Sequence, residues 1–206
     1  MKELIKMRCI TDQNIPARFR ASLLTLIFLL GYLFAGDPGL CEQTSEKFDF
    51  LLPAPAHEIH QQYLGLSSDK PFSLKEIKAK VVIIEIFSMY CPICQREAEN
   101  VNALFRLIQA DPALRDKIKL IGIGAGNSPF EADFFREKYS IEFPLFSDTD
   151  FFIHKKTGGV RTPHFFGLLL KENADLTVFY SRTGEMSGPE AFLQTIITES
   201  GIKEQP

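Results

Sequence analysis

Apolar residues in the middle of the chain follow first the pattern of a buried strand and then that of a helix. The continuous apolar run at 81–87, interrupted only by Glu85, predicts a central strand that is covered on both faces. From Pro92 to about Gln109, apolar residues recur at every third or fourth position, which predicts an amphipathic helix that ends before Pro112. The sequence therefore places a buried strand directly before an amphipathic helix.

Strands and helices go on alternating after this pair. The pattern predicts, in chain order, a strand at 118–123, a helix near 129–139, an extended piece at 143–146, a short helix at 148–156, a hairpin of strands at 164–170 and 176–181, and a helix at 189–199. Such alternation is typical of a largely parallel sheet, to which the hairpin adds antiparallel strands. We therefore predict an α/β fold with a mixed central sheet that is flanked by helices.

The N-terminal segment has the order of an export signal. Arg18 and Arg20 precede sixteen residues without charge, 21–36, and Asp37 follows them. This apolar segment is slightly shorter than the roughly 18 to 20 residues that span a bilayer, so a cleaved signal and a retained membrane anchor both stay open. The arginines place the chain after Asp37 outside the cytoplasm. A lipid on Cys41 is disfavoured because no small residue directly precedes it.

The chain is expected to divide into three parts. These are an export signal or N-terminal membrane anchor at 1–36, a linker rich in Gly, Pro and charge at 37–58, and one domain at 59–206 in an extracytoplasmic, oxidising space. With 45% hydrophobic and 24% charged residues, the chain has the composition of a globular protein and not of a disordered one. Its net charge of −3 and its lack of basic runs disfavour nucleic acid as a partner.

The motif Cys91-Pro-Ile-Cys94 carries the candidate chemistry. Because it lies where the strand ends and the helix begins, unpaired N–H groups and the helix dipole would stabilise a thiolate on Cys91. Pro92 suits the first helical position, and Cys94 lies one turn further, within reach of a mixed disulfide on Cys91. A zinc site would need a second ligand pair, for which only His57 and His60 offer themselves, outside the predicted core. A structural disulfide would close too small a ring to stabilise the fold, so we interpret the motif as a redox-active dithiol.

The dithiol at a strand-to-helix junction and the pair Thr162-Pro163 just before the late hairpin together resemble the thioredoxin fold. The resemblance implies that the peptide bond before Pro163 is cis and faces the cysteines, and that Thr162 offers backbone hydrogen bonds to an extended substrate. An ordinary trans proline at the start of a strand is the alternative. Together with Tyr90 and Pro92 at the rim, these residues form the expected substrate-binding set.

The spacing between Cys91 and Pro163 and two short sequence segments indicate which subfamily of the thioredoxin fold the chain resembles. Pro163 lies 72 residues after Cys91. The strings at 143–148 (Phe-Pro-Leu-Phe-Ser-Asp) and 159–163 (Gly-Val-Arg-Thr-Pro) are similar to those of TlpA and ResA-like proteins and of the related AhpC/TSA redoxins, which include peroxiredoxins. The resemblance covers about residues 60 to 200. It implies a thioredoxin-like fold with a βα insertion between the CxxC helix and the cis-proline.

Two glutamates near the dithiol are candidate catalytic groups. Glu85 lies in an otherwise apolar strand, where a buried charge is costly unless it is paired, protonated or functional. It matches the buried acid that the thioredoxin family places beneath the dithiol to relay a proton, and an ion pair with Lys80 is the alternative. Glu97 matches the glutamate of the CxxCxxE pattern in TlpA and ResA-like proteins, and a solvated helix glutamate is the alternative.

The resemblance implies an exported or membrane-tethered thiol-disulfide oxidoreductase that reduces, rather than oxidises, the cysteines of extracytoplasmic proteins. It further implies protein thiols and disulfides as partners and a membrane-bound electron donor. Because the sequence has no ATP, nicotinamide or flavin motif and no second ligand pair, we expect no metal and no cofactor beyond the Cys91–Cys94 disulfide. The sequence around the dithiol is also similar to that of DsbA, which has His where this chain has Ile93. Because isoleucine offers the thiolate neither charge nor a hydrogen bond, we expect a weaker oxidant than DsbA.

Two other functions fit parts of the sequence. A peroxiredoxin-like thiol peroxidase would attack peroxide with the first cysteine of the motif. Ser88 could replace the threonine of that family and Arg161 lies near its expected arginine, but Ile84 stands where that family has a proline. A copper-handling module would add His154 or His164 to the dithiol, because soft thiolates bind Cu(I).

Overall fold

The computed structural model describes residues 46–171 and 175–202. Its elements are, in chain order, β1 (Leu51–Leu52), α1 (Glu58–Leu64), β2 (Phe72–Ser73), a 3-10 turn (Leu74–Glu76), β3 (Val81–Phe87), α2 (Pro92–Ala110), β4 (Ile118–Ala125), α3 (Pro129–Lys138), β5 (Leu145–Asp148), α4 (Phe152–Lys156), β6 (His164–Leu170), β7 (Leu176–Thr183) and α5 (Pro189–Ser200). The export segment expected at 1–36 and Cys41 lie outside the described residues. Of the helices in the described part of the chain, none combines the length and the apolar character that crossing a membrane needs.

A five-stranded mixed sheet of order β5-β4-β3-β6-β7 forms the centre of the fold. β3 lies parallel to β4 and β4 parallel to β5, whereas β6 runs antiparallel to both β3 and β7. The mixed α/β architecture predicted from the alternating elements is therefore confirmed. Because β3 is the middle strand of this sheet, the end that leads into α2 is supported by a neighbouring strand on each side.

The two faces of β3 bury different parts of the chain. Successive side chains of a strand point to opposite faces. Val81 and Ile83 pack in the cluster formed with α2 and α5, whereas Val82 and Ile84 pack in the cluster formed with the segment from Phe48 to the 3-10 turn. Every residue of β3 is buried, as the continuous apolar run predicts. Glu85 follows Ile83 by two residues, so its side chain belongs to the face that α2 covers.

The packed domain begins earlier than the expected boundary at residue 59. Phe48, Phe50 and Leu52 are buried in the core, and β1 pairs antiparallel with β2. The stretch 37–58 therefore does not act as a linker over its whole length, which corrects the expectation. Its alternating apolar residues have the two-residue period of a strand, a signal that the nearby prolines and charges concealed.

Two elements before β6 start later than the pattern suggested. The extended piece expected at 143–146 is strand β5, and helix α4 begins at Phe152 and not at Asp148. The Asp148 carboxylate nevertheless accepts hydrogen bonds from the N–H groups of Ile153 and His154, at 3.0 and 2.8 Å. Asp148 is the last residue of β5 and still satisfies the first turn of α4, so β5 and α4 together insert between α3 and β6.

Candidate active site

The two cysteines of the motif occupy the junction between β3 and α2. Cys91 is the N-cap residue of α2, with extended backbone angles (φ −83°, ψ 114°), and Pro92 begins the helix. The Cys91 N–H donates to the Ser88 carbonyl oxygen at 3.0 Å, and the Cys94 N–H donates to the Cys91 sulfur at 3.4 Å. Both are free thiols, Cys91 partly exposed and Cys94 buried. The sulfur of Cys91 thus lies at a helix N-terminus, where a thiolate is stabilised.

A distant segment of the chain closes the site on its other side. The Thr162–Pro163 peptide bond is cis, as the resemblance implied. Pro163 is buried, and the Cys91 thiol donates to the Thr162 carbonyl oxygen at 3.3 Å. The fold therefore places the residue before the cis-proline in direct contact with the first cysteine.

The surroundings of the two thiols shift their pKa values in opposite directions. Burial is the largest single influence on Cys91 and acts to raise its pKa, but hydrogen bonds with the Thr162 side chain, with Cys94 and with the backbone of Cys94 and Ile93 together hold the pKa of this thiol below its usual value. Burial, the negative charge of Glu85 and the hydrogen bond with Cys91 raise the pKa of the Cys94 thiol well above its usual value. At neutral pH the thiolate, which is the nucleophile, therefore forms far more readily on Cys91 than on Cys94.

Glu85 is a buried acid beneath the dithiol. Only 3% of its surface is exposed. Burial, followed by repulsion from Glu97 and Cys91, raises the pKa of its carboxyl group to about 8. Within the described residues no cation, Lys80 included, is among the groups that set this pKa. The carboxyl group is therefore protonated for much of the time near neutral pH, which makes it able to exchange a proton there.

Glu97 is also buried and not solvated. One carboxylate oxygen accepts a hydrogen bond from the Met186 N–H at 2.9 Å, and the other accepts one from the Asn100 side chain at 3.3 Å. Burial raises the pKa of this carboxyl group, and these two hydrogen bonds lower it by a smaller amount. Glu97 therefore connects the first half of α2 to the loop between β7 and α5. Its negative charge also raises the pKa of Glu85, and through Glu85 it acts on the dithiol.

Two of the remaining predicted residues line a groove next to the dithiol. Tyr90 and Thr162 both line this groove, whose volume is 560 Å³. Tyr90 is 65% exposed, and its hydroxyl donates to the Glu131 carboxylate. Pro92 is exposed at the start of α2, and Ile93 is 37% exposed beside it. The expected substrate-binding set thus lies in one region, and its role in binding stays a prediction.

Sequence reasoning missed Asn127, which supports the loop before the dithiol. Asn127 is fully buried, and its side-chain oxygen accepts a hydrogen bond from the Met89 N–H at 2.9 Å. Gly124 leaves room for it, because a Cβ at Gly124 would lie 3.0 Å from the Asn127 side chain. An asparagine in a Gly-rich turn looks like an ordinary turn residue, so no local signal points to this contact.

Three residues of the two alternative functions, Ser88, His154 and Arg161, line this groove, and the fourth, His164, is the first residue of β6. His154 hydrogen-bonds a backbone carbonyl oxygen at 2.7 Å, and His164 hydrogen-bonds two hydroxyl groups of β7 at 2.7 and 3.0 Å. These contacts use both ring nitrogens of His164 and one ring nitrogen, Nε2, of His154. Ser88 and Arg161 line the groove, yet within the described residues Arg161 is not among the groups that lower the pKa of the Cys91 thiol.

Comparison with known proteins agrees with this geometry. The model of the AhpC/TSA family matches residues 52–182. A thiol:disulfide interchange protein DsbE from Chlorobium tepidum superposes with a TM-score of 0.55 at 18% identity, over 77% of this chain and 97% of that chain. A secreted disulfide oxidoreductase of Mycobacterium tuberculosis, homologous to E. coli DsbE, gives 0.52 at 18% identity over 74% and 98%. StoA from Bacillus subtilis gives 0.50 at 18% identity over 70% and 93%. These likenesses identify the fold as thioredoxin-like; no curated protein sequence matches the chain significantly.

Proposed function

The chain belongs to the AhpC/TSA family, and on that basis we propose that it is an exported thiol-disulfide oxidoreductase with Cys91 as the attacking and Cys94 as the resolving cysteine. The observation that carries the proposal is the asymmetry of the two thiols. The Cys91 thiol is partly exposed with a lowered pKa, whereas the Cys94 thiol is buried with a raised pKa. Because the thiolate is the nucleophile, the reaction begins at Cys91.

In the reducing direction the dithiol gives two electrons to a substrate disulfide. The Cys91 thiolate attacks one substrate sulfur, the substrate S–S bond breaks, and the leaving thiolate takes up a proton. Cys94 then loses its proton and attacks the Cys91 sulfur, which forms the Cys91–Cys94 disulfide and releases the second substrate thiol. The substrate ends as two thiols and the protein as a disulfide, so electrons and protons balance. The oxidising direction is the reverse of these steps.

Glu85 is proposed to take the proton from Cys94. Removing this proton is the difficult step because the Cys94 thiol has a raised pKa, partly through the charge of Glu85 itself. When the Cys94 proton moves to the Glu85 carboxylate, that repulsive charge disappears. With a pKa of about 8, Glu85 can hold and return a proton near neutral pH. Glu97 is proposed to assist by raising the proton affinity of Glu85.

The N-terminal segment suggests where the reaction takes place. The order of charges and apolar residues in 1–36 supports export or tethering of the domain outside the cytoplasm. We propose protein thiols and disulfides of exported proteins as substrates, and a membrane-bound dithiol as the donor that regenerates Cys91 and Cys94. The disulfide itself is the redox group, so the reaction requires no further cofactor. A reporter enzyme that is active only outside the cytoplasm, fused after residue 206, tests the location.

Trapping of the mixed disulfide tests the roles of the two cysteines. The full-length Cys94→Ser variant, incubated with a disulfide-linked peptide dimer, is expected to accumulate a protein–peptide disulfide on Cys91. The matched Cys91→Ser variant is expected to form none, and wild type is expected to release two peptide thiols. Trapping on Cys94, or equal trapping by both variants, would contradict the assignment. Consumption of hydrogen peroxide at a rate above that of peptide reduction would favour the peroxidase instead.

The reduction potential tests the direction. The wild-type protein is equilibrated in dithiothreitol and glutathione buffers, and free thiols are counted by alkylation and mass spectrometry. A potential near that of thioredoxin, about −270 mV, is expected for a reductant. A potential near that of DsbA, about −120 mV, would assign the protein to disulfide formation and would contradict the inference drawn from Ile93.

A further inference from the structure

The groove beside Cys91 contains an aromatic residue in a costly backbone conformation. Phe151, which precedes α4, has φ 59° and ψ 25°, in the left-handed region that a bulky residue rarely adopts. Its side chain is 42% exposed and lines the groove together with Tyr90 and Thr162. Because the ring is not fully buried, burial in the core does not compensate for the cost of this backbone conformation. Strain that stabilises nothing in the core points to a role in binding.

Gly126 is shaped to receive the ring of Phe151. A Cβ at Gly126 would lie 2.2 Å from the tip of this ring, so only glycine permits the close approach. Gly126 also lines the groove and has a φ of 68°, where glycine is favoured. Two positions that are distant in the chain thus combine to present one aromatic face. We call this apolar surface, formed by Gly126 and Phe151, the aromatic shelf.

A cation without a partner lies in the same groove. Arg161 is exposed, directly precedes Thr162, and forms no ion pair with any residue in the described part of the chain. The ring of His154, also in the groove, is already hydrogen-bonded to the Val160 carbonyl oxygen at 2.7 Å. The groove therefore combines the aromatic shelf with one positive charge that is available to a ligand.

Thr162 connects the groove to the reacting sulfur. Thr162 lines it and its carbonyl oxygen lies 3.3 Å from the Cys91 sulfur. An extended chain advances about 3.4 Å per residue, so a side chain in the groove comes from within about two residues of the substrate cysteine. We infer that the protein selects extended cysteine-containing segments that carry an aromatic side chain for the shelf and a carboxylate for Arg161 close to the cysteine. This inference rests on the proposed thiol-disulfide exchange and names its substrate class.

Four disulfide-linked peptide dimers test the inference. Each peptide has one cysteine between two variable residues, in the combinations Phe and Asp, Phe and Lys, Ala and Asp, and Ala and Lys. Reduced full-length protein gives two electrons to each dimer, and chromatography measures the two peptide thiols released. The rate constant for each dimer is divided by the rate constant with which dithiothreitol reduces the same dimer. This ratio corrects for differences in the reactivity of the four disulfides. Phe in place of Ala should raise the normalised rate constant about tenfold, and Asp in place of Lys about threefold at low salt.

Matched variants assign these preferences to residues. Phe151→Ala should lose the preference for Phe, whereas Phe152→Ala, which removes an exposed ring outside the groove, should keep it. Arg161→Gln should lose the preference for Asp, whereas Lys155→Gln should keep it. Phe151→Gly suits the left-handed backbone, so it remains folded and should lose the preference as Phe151→Ala does.

The outcomes separate this inference from the proposed function. Equal normalised rate constants for all four dimers with wild type would overturn the inference while the oxidoreductase function stands. The inference is also overturned if Phe152→Ala loses as much preference as Phe151→Ala. Failure of wild type to reduce any dimer, together with failure to reduce hydroxyethyl disulfide, would contradict the proposed function itself.

Discussion

The Cys91 sulfur lies 3.3 Å from the carbonyl oxygen of Thr162, although 71 residues separate the two in the chain. In the dithiol state the Cys91 thiol donates its hydrogen bond to this oxygen. When the thiol ionises, that donor is lost and the carbonyl oxygen becomes free to accept another hydrogen bond. We propose that an extended substrate supplies one from its backbone N–H, which would couple activation of Cys91 to docking of the substrate at one atom.

Replacing Ile93 by histidine is expected to make the disulfide more oxidising. Ile93 lies between the two cysteines of the motif, two residues after Cys91, and is 37% exposed. A protonated histidine there stabilises the Cys91 thiolate and therefore the reduced protein. The reduction potential should rise by about 30 mV for each unit by which the thiol pKa falls, when measured in glutathione buffers. Ile93→Gln is the uncharged control, and an equal rise in that variant would contradict the explanation.

Glu85 is expected to make the stability of the reduced protein fall as pH rises. Its pKa is about 8 in the folded protein and 4.5 as the reference value, so between these pH values the folded state holds the extra proton. Stability therefore decreases by up to about 1.4 kcal/mol for each pH unit between about pH 5 and pH 8, and levels off above that. Urea unfolding at several pH values, with the cysteines kept reduced, measures this slope.

The matched variants for this slope are Glu85→Gln and Glu199→Gln. Glu85→Gln removes the largest buried titration, so the slope should become much smaller and the variant should be more stable than wild type at pH 8. Glu199→Gln changes an exposed glutamate of α5 and should keep the wild-type slope. A wild-type slope that survives in Glu85→Gln would assign the pH dependence to other groups.

Removing the side chain of Asn127 is expected to weaken both the fold and the active-site loop. Asn127→Ala leaves the Met89 N–H without the oxygen that it contacts at 2.9 Å. Because this contact is only partly buried, we expect a loss of stability near the lower end of the range of about 1 to 3 kcal/mol for a donor that loses its acceptor. Because Met89 lies two residues before Cys91, the rate of Cys91 alkylation by iodoacetamide should also change. Gln62→Ala removes an exposed amide of α1 and should alter neither measurement.

Glu97 is expected to stabilise the fold through its hydrogen bond with Met186 and to raise the pKa of Glu85 through its charge. Glu97→Ala should cost about 1 to 3 kcal/mol in urea unfolding, because the buried Met186 N–H loses its acceptor. Glu97→Gln keeps an oxygen there and should retain most of the stability. Since the charge of Glu97 raises the pKa of Glu85, Glu97→Gln should lower that pKa. The pH at which release of the mixed disulfide is half-maximal should then fall, and an unchanged pH would contradict the coupling.

The elements nearest the dithiol could be predicted closely from the sequence. The apolar run at 81–87 matches the bounds of β3, and the predicted helix after the cysteines differs from α2 by one residue. Glu85 is identifiable as a buried acid because it is the one charged residue in that run. The start of the packed domain was predicted too late, since the period-two pattern from Phe48 to Leu52 lies among residues typical of a linker.

The sequence by itself determined the order of strands and helices, the position of the dithiol at a helix N-terminus and the presence of a buried acid before it. These features depend on the period of apolar residues and on neighbours a few positions apart, which the chain displays directly. Only the tertiary structure decided that Asn127 supports Met89, that Glu97 accepts from Met186, and that Gly126 seats the ring of Phe151. Such contacts join residues far apart in the chain, and they exist only once strand register and helix packing have placed those residues side by side.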